Sequence, residues 1–204
     1  MSRQNNAQKG QPWPQMAEVF GFQVPVSDYY LHQGHAWVVV ENEQRVRVGL
    51  DDFSQKILGP ADQVNMPQAG KVYYQDHICL ALSRQKRLAS VLAPIDGVVE
   101  VVNPDVCRQP GLIHDDPYGQ GWLFLMKPIN LQPNLEKLSY GEANAAWIDQ
   151  ESHRLLNLLG PAVTLPDGGA IVDDVFGHYP QLLWGQLVRD FLLPLLSKGW
   201  KKRS

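Results

Sequence analysis

The sequence predicts a mainly β protein, a sandwich or barrel with one domain and added segments at its ends. Its 204 residues are 44% hydrophobic and 19% charged, which is enough for one sizeable core and is unlike a disordered chain. Short β-branched or apolar runs recur through the middle of the chain, and each ends at Gly, Pro, Asp or Asn. Short strands at this spacing are typical of all-β folds.

Composition and charge exclude several classes of protein. The net charge of −3 argues against a protein that coats nucleic acids, because such proteins neutralise phosphates with a large basic excess. Cys79 and Cys107 are too few for a disulfide scaffold or a four-cysteine zinc site, and they fit reduced thiols. The N-terminus lacks the apolar segment of a secretory signal, and the apolar residues 182–196 are too few and too polar to span a bilayer. We expect a soluble, cytoplasmic protein without a nucleic-acid partner.

The first elements follow from local patterns. Residues 1–28 are rich in Gln, Asn and Pro and predict a tail or a strap lying on the domain. Residues 37–41 and 45–48 are β-branched runs joined by polar residues, which predicts a hairpin. Asp51 can cap a short helix, and Gly59 can supply its left-handed exit.

The next runs predict a hairpin with a polar tip. Further strands are predicted at residues 71–74, 78–83, 88–92 and 98–102. Residues 78–82 are all apolar, so we expect this strand to be buried on both sides. Residues 83–87 are all polar, and a polar tip on an apolar hairpin must project into water.

Two helices are predicted in the last third of the chain. Ser139 and Glu142 have capping-box spacing at the start of a helix that stops at Gly160. A last helix should begin near Pro180, and Pro194 should end or kink it. Its apolar stripe comprises Trp184, Leu187, Val188, Phe191 and Leu195. The stripe can pack on its own domain, on a partner chain or, with the basic residues 198–203, on an anionic membrane; we favour its own domain.

The usual local machinery of catalysis is missing. No phosphate-binding loop, dinucleotide fingerprint or nucleophile elbow occurs. His32 and His35 have metal-ligand spacing for a helix, but their neighbours predict strand or turn, so we assign no metal site. Acidic pairs at 51–52, 115–116 and 173–174 sit beside turns, where carboxylates cap backbone N–H groups. We therefore predict no catalytic residue.

Several separate motifs resemble the H proteins of the glycine cleavage system. They include HAWV at 35–38, VGLDDF at 48–53, VVEVVN at 98–103 and DPYGQGWL at 116–123. Between Gly70 and Gly97 the family pattern can be laid down without a gap, and Lys86 falls on the lipoylated lysine. The resemblance covers about residues 30–158.

This resemblance implies a fold and a role. The expected fold is a lipoyl/biotinyl-carrier-like flattened β-sandwich, a barrel-sandwich hybrid, with short helices and a C-terminal helical extension. We expect an N-terminal tail or strap at 1–28, a lipoyl domain at 29–160 and a helical extension at 161–204. The chain would be a carrier rather than an enzyme, with lipoate covalently attached to Lys86. Its partners would be a pyridoxal-phosphate glycine decarboxylase, an aminomethyltransferase and dihydrolipoamide dehydrogenase.

The tip departs from the family pattern. The family's ESVKA is SRQKR at 83–87, and the family's acid four residues after the lysine is Ser90. Nearby carboxylates would favour a protonated methylamine on the arm, whereas Arg84 and Arg87 would repel it. A basic tip suits an anionic cargo or an acidic partner better.

The sequence is therefore compatible with two classes of function. The first is a lipoyl carrier, in glycine cleavage or in a related lipoate-dependent pathway such as sulfur oxidation. The second is a non-lipoylated binding or scaffold module that acts through its basic hairpin tip and C-terminal helix on protein partners of unknown kind. A biotin carrier is discounted, because no Met-Lys-Met brackets Lys86.

Overall fold

A computed structural model describes residues 14–160, 169–179 and 181–194. The strands, in chain order, are β1 (Met16–Val19), β2 (Phe22–Pro25), β3 (Tyr29–Leu31), β4 (Ala36–Asn42), β5 (Arg45–Leu50), β6 (Gln63–Asn65), β7 (Val72–Tyr73), β8 (Ile78–Arg84), β9 (Arg87–Leu92), β10 (Gly97–Val102), β11 (Phe124–Pro128) and β12 (Ser139–Tyr140). The helices are α1 (Asp52–Leu58), α2 (Pro104–Arg108), α3 (Leu112–Asp115), α4 (Leu131–Leu135), α5 (Glu142–Leu159), α6 (Val175–His178) and α7 (Trp184–Leu187), followed by a π-helix (Val188–Leu192).

The strands form three antiparallel sheets. The largest has the order β12-β3-β4-β5-β11-β10-β7, the second has the order β6-β8-β9, and β1 pairs with β2. Buried side chains of the seven-stranded sheet, such as Trp37 and Phe124, share one hydrophobic core with Leu80, Leu82 and Val91 of the three-stranded sheet. This confirms the expected mainly β fold, a flattened sandwich with short helices.

The local predictions for the first hairpin and helix are confirmed. Strands β4 and β5 pair antiparallel, with a register shift between Val40 and Asn42, and are joined by a short polar turn. Asp51 is the N-cap of α1, and its carboxylate accepts a hydrogen bond from the Ser54 N–H at 2.8 Å. Gly59 ends the helix with φ of 70°, in the left-handed region that glycine adopts without steric cost.

Strand β8 is not buried on both sides as predicted. Cys79, Leu80 and Leu82 are buried, but Ile78 is 52% exposed. A register shift between Ile78 and Leu80 interrupts the pairing with β9, so the two consecutive residues Cys79 and Leu80 both become buried. The strand lies between β6 and β9 in a sheet that keeps its outer residues in contact with solvent.

The predicted capping box at Ser139 is wrong. Ser139 belongs to β12, which pairs with Leu31 of β3, and the N-cap of α5 is Gly141 with φ of 64°. The Ser139 hydroxyl is buried without a hydrogen-bond partner, so it does not cap the helix. The pairing with β3 extends through Tyr140, so the helix begins two residues later than the capping box requires. Helix α5 does end at Leu159, before the predicted stop at Gly160.

The segment before the main sheet forms a hairpin. Strands β1 and β2 pair through four residues each, and Phe22 and Val24 are buried in the common core. The side-chain amide of Asn144 in α5 donates to the carbonyls of Pro25 and Tyr29, at 2.8 and 3.0 Å. These contacts attach residues 16–25 to the sandwich; residues 1–13 lie outside the described part of the chain.

The C-terminal helix is shorter and less regular than predicted. It consists of α7 and then the π-helix, which ends at Leu192 before Pro194; Pro180 and Leu195 lie outside the described residues. Trp184, Leu187 and Phe191 are buried in the core of the chain itself, the alternative favoured from the sequence. No helix among the described residues is long and apolar enough to cross a membrane.

Candidate functional site

Lys86 lies at the turn between β8 and β9, which we call the tip hairpin. Arg84 and Arg87 face each other as the last strand pair, and the two turn residues Gln85 and Lys86 have φ of 49° and 65°. A two-residue loop with positive φ at both positions is a type I′ turn, whose twist matches that of the flanking strands. The Gln85 N–H donates to the Asp62 carboxylate at 2.5 Å, which fixes the turn from one side.

The Lys86 side chain is open to solvent. It is exposed, and no described residue forms an ion pair or a side-chain hydrogen bond with its amine. Leu82 and Ala89, further down the two strands, are buried, so the hairpin stands on the core. A primary amine held in this way can be acylated by an enzyme that approaches from solvent.

Arg84 does not contribute a free cation to the tip. Its guanidinium forms a two-pronged salt bridge with Asp174, with Nη2 at 2.7 Å from Oδ2, and also donates to the Leu58 carbonyl. The Asp174 hydrogen bonds raise the pKa of Arg84, and the Arg84 hydrogen bonds lower the pKa of Asp174. The tip is therefore less basic than the sequence predicts.

Two aromatic residues of the C-terminal region contact the same hairpin. The guanidinium of Arg87 lies 5.4 Å from the centre of the Phe176 ring. The Phe176 and Trp184 rings meet edge to face at 5.0 Å, and the Trp184 indole N–H donates to the Leu88 carbonyl at 2.8 Å. Sequence reasoning missed these contacts, because nothing in the local pattern pairs residues some 90 positions apart.

The DPYGQGWL motif holds the other end of the sandwich together. The Tyr118 hydroxyl donates to the Gln23 carbonyl at 2.9 Å and accepts from the Asp52 N–H at 3.1 Å. The Trp37 indole N–H donates to carbonyls of Leu50 and Pro117, at 2.9 and 3.1 Å. These roles are structural, and they join β2, β4 and α1 to the motif.

One member of each acidic pair accepts a hydrogen bond from a nearby backbone N–H, as predicted for residues at caps and turns. Asp51 caps α1, Asp116 accepts a hydrogen bond from the Gln120 N–H at 2.7 Å, and Asp174 caps α6 through the Gly177 N–H at 2.9 Å. What the sequence did not reveal is that Asp174 also pairs with Arg84.

His35 is buried against α1 and α5, beside two carboxylates. Its Nδ1 lies 2.7 Å from the Asp51 carboxylate and its Nε2 lies 3.8 Å from Glu151, with the ring stacked between Phe53 and Trp147. Burial lowers the pKa of His35, but the charges of the two carboxylates and the hydrogen bond to Asp51 reverse this and raise it to about 9; Nε2, at 3.8 Å from Glu151, forms no hydrogen bond to any described residue.

His32 does not join His35 in a metal site. Its Nε2 is 2.8 Å from the Asp76 carboxylate, and its Nδ1 accepts from the Gly34 N–H. In the described part of the chain, no group of three or more His, Cys, Asp or Glu side chains could hold a metal ion.

A flattened β-sandwich that presents an exposed lysine on a tight turn is the arrangement of a carrier domain. The glycine cleavage H-protein family matches residues 29–151. A probable glycine cleavage system H protein of Pyrococcus furiosus is 33% identical over 133 residues, which cover 65% of this chain and 98% of that protein. A glycine cleavage system H protein of Psychrobacter cryohalolentis is 35% identical over 97 residues, 48% of this chain and 77% of that one.

The solved structures give the same fold. The crystal structure of a glycine cleavage system H protein from Mycobacterium marinum matches with a TM-score of 0.54 and 24% identity, over 60% of this chain and 97% of that one. The chain belongs to the glycine cleavage H-protein family, whose members are lipoyl carriers and not enzymes. About a third of the chain lies outside the match to the Pyrococcus protein.

Proposed function

We propose that this chain is the lipoyl carrier of a glycine cleavage system and that Lys86 is its attachment site. The observation that carries the proposal is the exposed Lys86 amine on the turn of the tip hairpin, the position to which the resemblance in sequence assigns the family's lipoyl-lysine. The family to which the chain belongs makes lipoate the cofactor to expect.

The residues around Lys86 fit an attached arm. The amine has no partner among the described residues, so acylation breaks no contact there. Lipoate, when bound, supplies a reducible disulfide at the end of a long chain. The contribution of the protein is to hold the turn at a fixed place on the core, through the buried residues of β8 and β9 and through the hydrogen bond from Gln85 to Asp62.

Family membership also supports a set of partners. We propose that the chain serves a pyridoxal-phosphate glycine decarboxylase, an aminomethyltransferase and dihydrolipoamide dehydrogenase, in the cytoplasm. The relatives compared are glycine cleavage proteins by name, which favours this pathway over sulfur oxidation. The alternative function, a non-lipoylated binding module, requires a basic tip. Arg84 is paired with Asp174, so the tip has less free positive charge than that alternative requires.

We propose that residues 29–160 form the lipoyl domain and that 1–28 and 161–204 are additions to it. The family match at 29–151 supports this division. Both additions contact the domain in the described residues: the Asn144 side-chain amide of α5 donates to the Pro25 carbonyl at 2.8 Å, and the Arg154 guanidinium of α5 donates to the Asp190 carbonyl at 2.9 Å.

Lipoate incorporation tests the attachment site. The full chain is incubated with a lipoate-transferring enzyme, lipoate and ATP, as wild type, as Lys86→Arg and as Lys71→Arg. Lys71 is the matched control, since it is also an exposed lysine outside the core. We expect incorporation into the wild type and Lys71→Arg and none into Lys86→Arg, because a guanidinium is not acylated by such enzymes. Equal incorporation in all three would remove Lys86 from the site, and none in any would remove the carrier function.

A further inference from the structure

Side chains in the described part of the C-terminal region contact the tip hairpin close to Lys86. Asp174 pairs with Arg84, Phe176 lies against the Arg87 guanidinium, and Trp184 donates to a backbone carbonyl of β9. We call Asp174, Phe176 and Trp184 the clamp. They hold both strands of the tip hairpin on either side of Lys86.

The ion pair of the clamp occupies a site shaped for it. Arg84 also donates to the Leu58 carbonyl at the C-terminal end of α1, where the free carbonyls of a helix attract a cation. A Cβ on the next residue, Gly59, would overlap both the Arg84 guanidinium and the Asp174 carboxylate. The side chain of Arg84 is only 11% exposed as a result. An incidental surface salt bridge is not enclosed in this way.

The clamp changes the charge that the tip presents. Arg84, Lys86 and Arg87 are the cations of the turn, and Asp62 and Asp174 are the carboxylates that contact it. Local charge is therefore +1 before acylation of Lys86 and zero after it. The carboxylates that the family motif has beside its lysine are absent here at Ser83 and Ser90, and residues from elsewhere in the chain supply carboxylates to the tip instead.

We propose that the clamp is a specificity element: it withdraws Arg84 from an approaching enzyme and fixes the exposed Arg87 against Phe176, so that Lys86 is the free cation that the enzyme meets. The proposal rests on Lys86 being the acylated residue. An enzyme that reaches Lys86 must fit a surface that includes the clamp, which lies outside residues 29–151, the part that matches the family. Asp174 is a positioning residue in this proposal and takes no part in the chemistry.

Arginine-selective labelling with phenylglyoxal tests the clamp independently of lipoate. Asp174→Asn removes the charge but keeps an oxygen that can cap α6 at the Gly177 N–H. Asp173→Asn is the matched control, because this adjacent carboxylate contacts His114 and not the tip hairpin. Labelling is mapped to peptides and compared with Arg108, whose side chain is 73% exposed.

We expect Arg84 to be labelled more slowly than Arg108 in the wild type and in Asp173→Asn. In Asp174→Asn its labelling should rise about tenfold, as expected when charge-assisted hydrogen bonds are lost. Phe176→Ala should raise labelling of Arg87 and serves as the second variant if Asp174→Asn fails to fold. Unchanged labelling of Arg84 in a folded Asp174→Asn, or of Arg87 in Phe176→Ala, would overturn the clamp.

The kinetics of lipoate transfer to Lys86 test whether the clamp contributes to recognition by the lipoate-transferring enzyme. For Asp174→Asn we expect a several-fold higher KM for the carrier with kcat within about twofold, because the Lys86 turn is unchanged and only binding is lost. An equal KM, with Arg84 released, would overturn the specificity claim. If wild type takes no lipoate, the proposed function and the specificity claim both fail, and the labelling still decides whether the clamp exists.

Discussion

The buried His35 should make the stability of the protein depend on pH in the alkaline range. His35 and Asp51 are almost completely buried, and Glu151 is nearly so. The two carboxylates hold the pKa of His35 at about 9 in the folded chain, against 6.5 for an ordinary histidine. Because the folded pKa is the higher one, the stabilisation is fully present below pH 6.5 and is lost as the pH rises through 9.

The size of this effect follows from the two pKa values. A rise from 6.5 to about 9 corresponds to about 3 kcal/mol of unfolding free energy. His35→Gln removes the cation and leaves the two carboxylates without it, so we expect a loss of about 3 to 5 kcal/mol near neutral pH. Lost ring packing against Phe53 and Trp147 adds an offset that does not change with pH.

Urea unfolding followed by tryptophan fluorescence measures this difference. Wild type and His35→Gln are compared at pH values from about 6 to 10, and the difference in unfolding free energy should shrink by about 3 kcal/mol over that range. His153→Gln is the control, since this histidine is 60% exposed and lies outside the cluster of His35, Asp51 and Glu151. Parallel profiles for wild type and His35→Gln would refute a charged, paired His35.

Two further comparisons test the core and the DPYGQGWL turn. Trp37→Ala should lower the free energy of unfolding by about 3 to 5 kcal/mol, because the ring is fully buried and its N–H donates to two carbonyls. Trp122 is only half-buried, so Trp122→Ala should lower it by about 1 to 2 kcal/mol. Similar losses for the two variants would contradict the assignment of Trp37 to the core. Gly121→Ala places a Cβ at 2.5 and 2.7 Å from two backbone oxygens and should lower the free energy of unfolding by about 1 to 3 kcal/mol. Gly185→Ala is the comparison, because a Cβ there has no atom within 4 Å; its stability should be equal to that of the wild type or higher by about 0.5 to 1 kcal/mol. Thermal unfolding of the four variants decides both, and a stable Gly121→Ala would mean that the turn is looser than described.

The elements that sequence predicted correctly are those specified by neighbouring residues. The hairpin of β4 and β5 follows from two β-branched runs and a polar turn, and the cap of α1 follows from Asp51 and Gly59. The tip hairpin followed from an apolar run that meets a polar one, although Gln85 and Lys86 are not the usual residues of a type I′ turn. In each case the determining contacts lie within a few residues of one another.

The features that sequence could not give depend on contacts between distant parts of the chain. Ser139 and Glu142 have the spacing of a capping box, but Ser139 pairs with Leu31 of β3 and is therefore a strand residue. The local sequence predicts that Arg84 is an unpaired cation beside a turn, but Asp174, 90 residues later, forms a salt bridge with it. His35 resembles one half of a metal-ligand pair, and only the fold brings Asp51 and Glu151 to it.

The mass of the protein made in its own host, with the lipoylation enzymes of that host intact, decides whether the chain carries lipoate on Lys86. The intact chain is weighed, and its proteolytic peptides are then sequenced by mass spectrometry across residues 83–90. We expect the added mass of one lipoyl group, located on Lys86. A chain with the mass of the unmodified sequence, or with the group on another lysine, would contradict it.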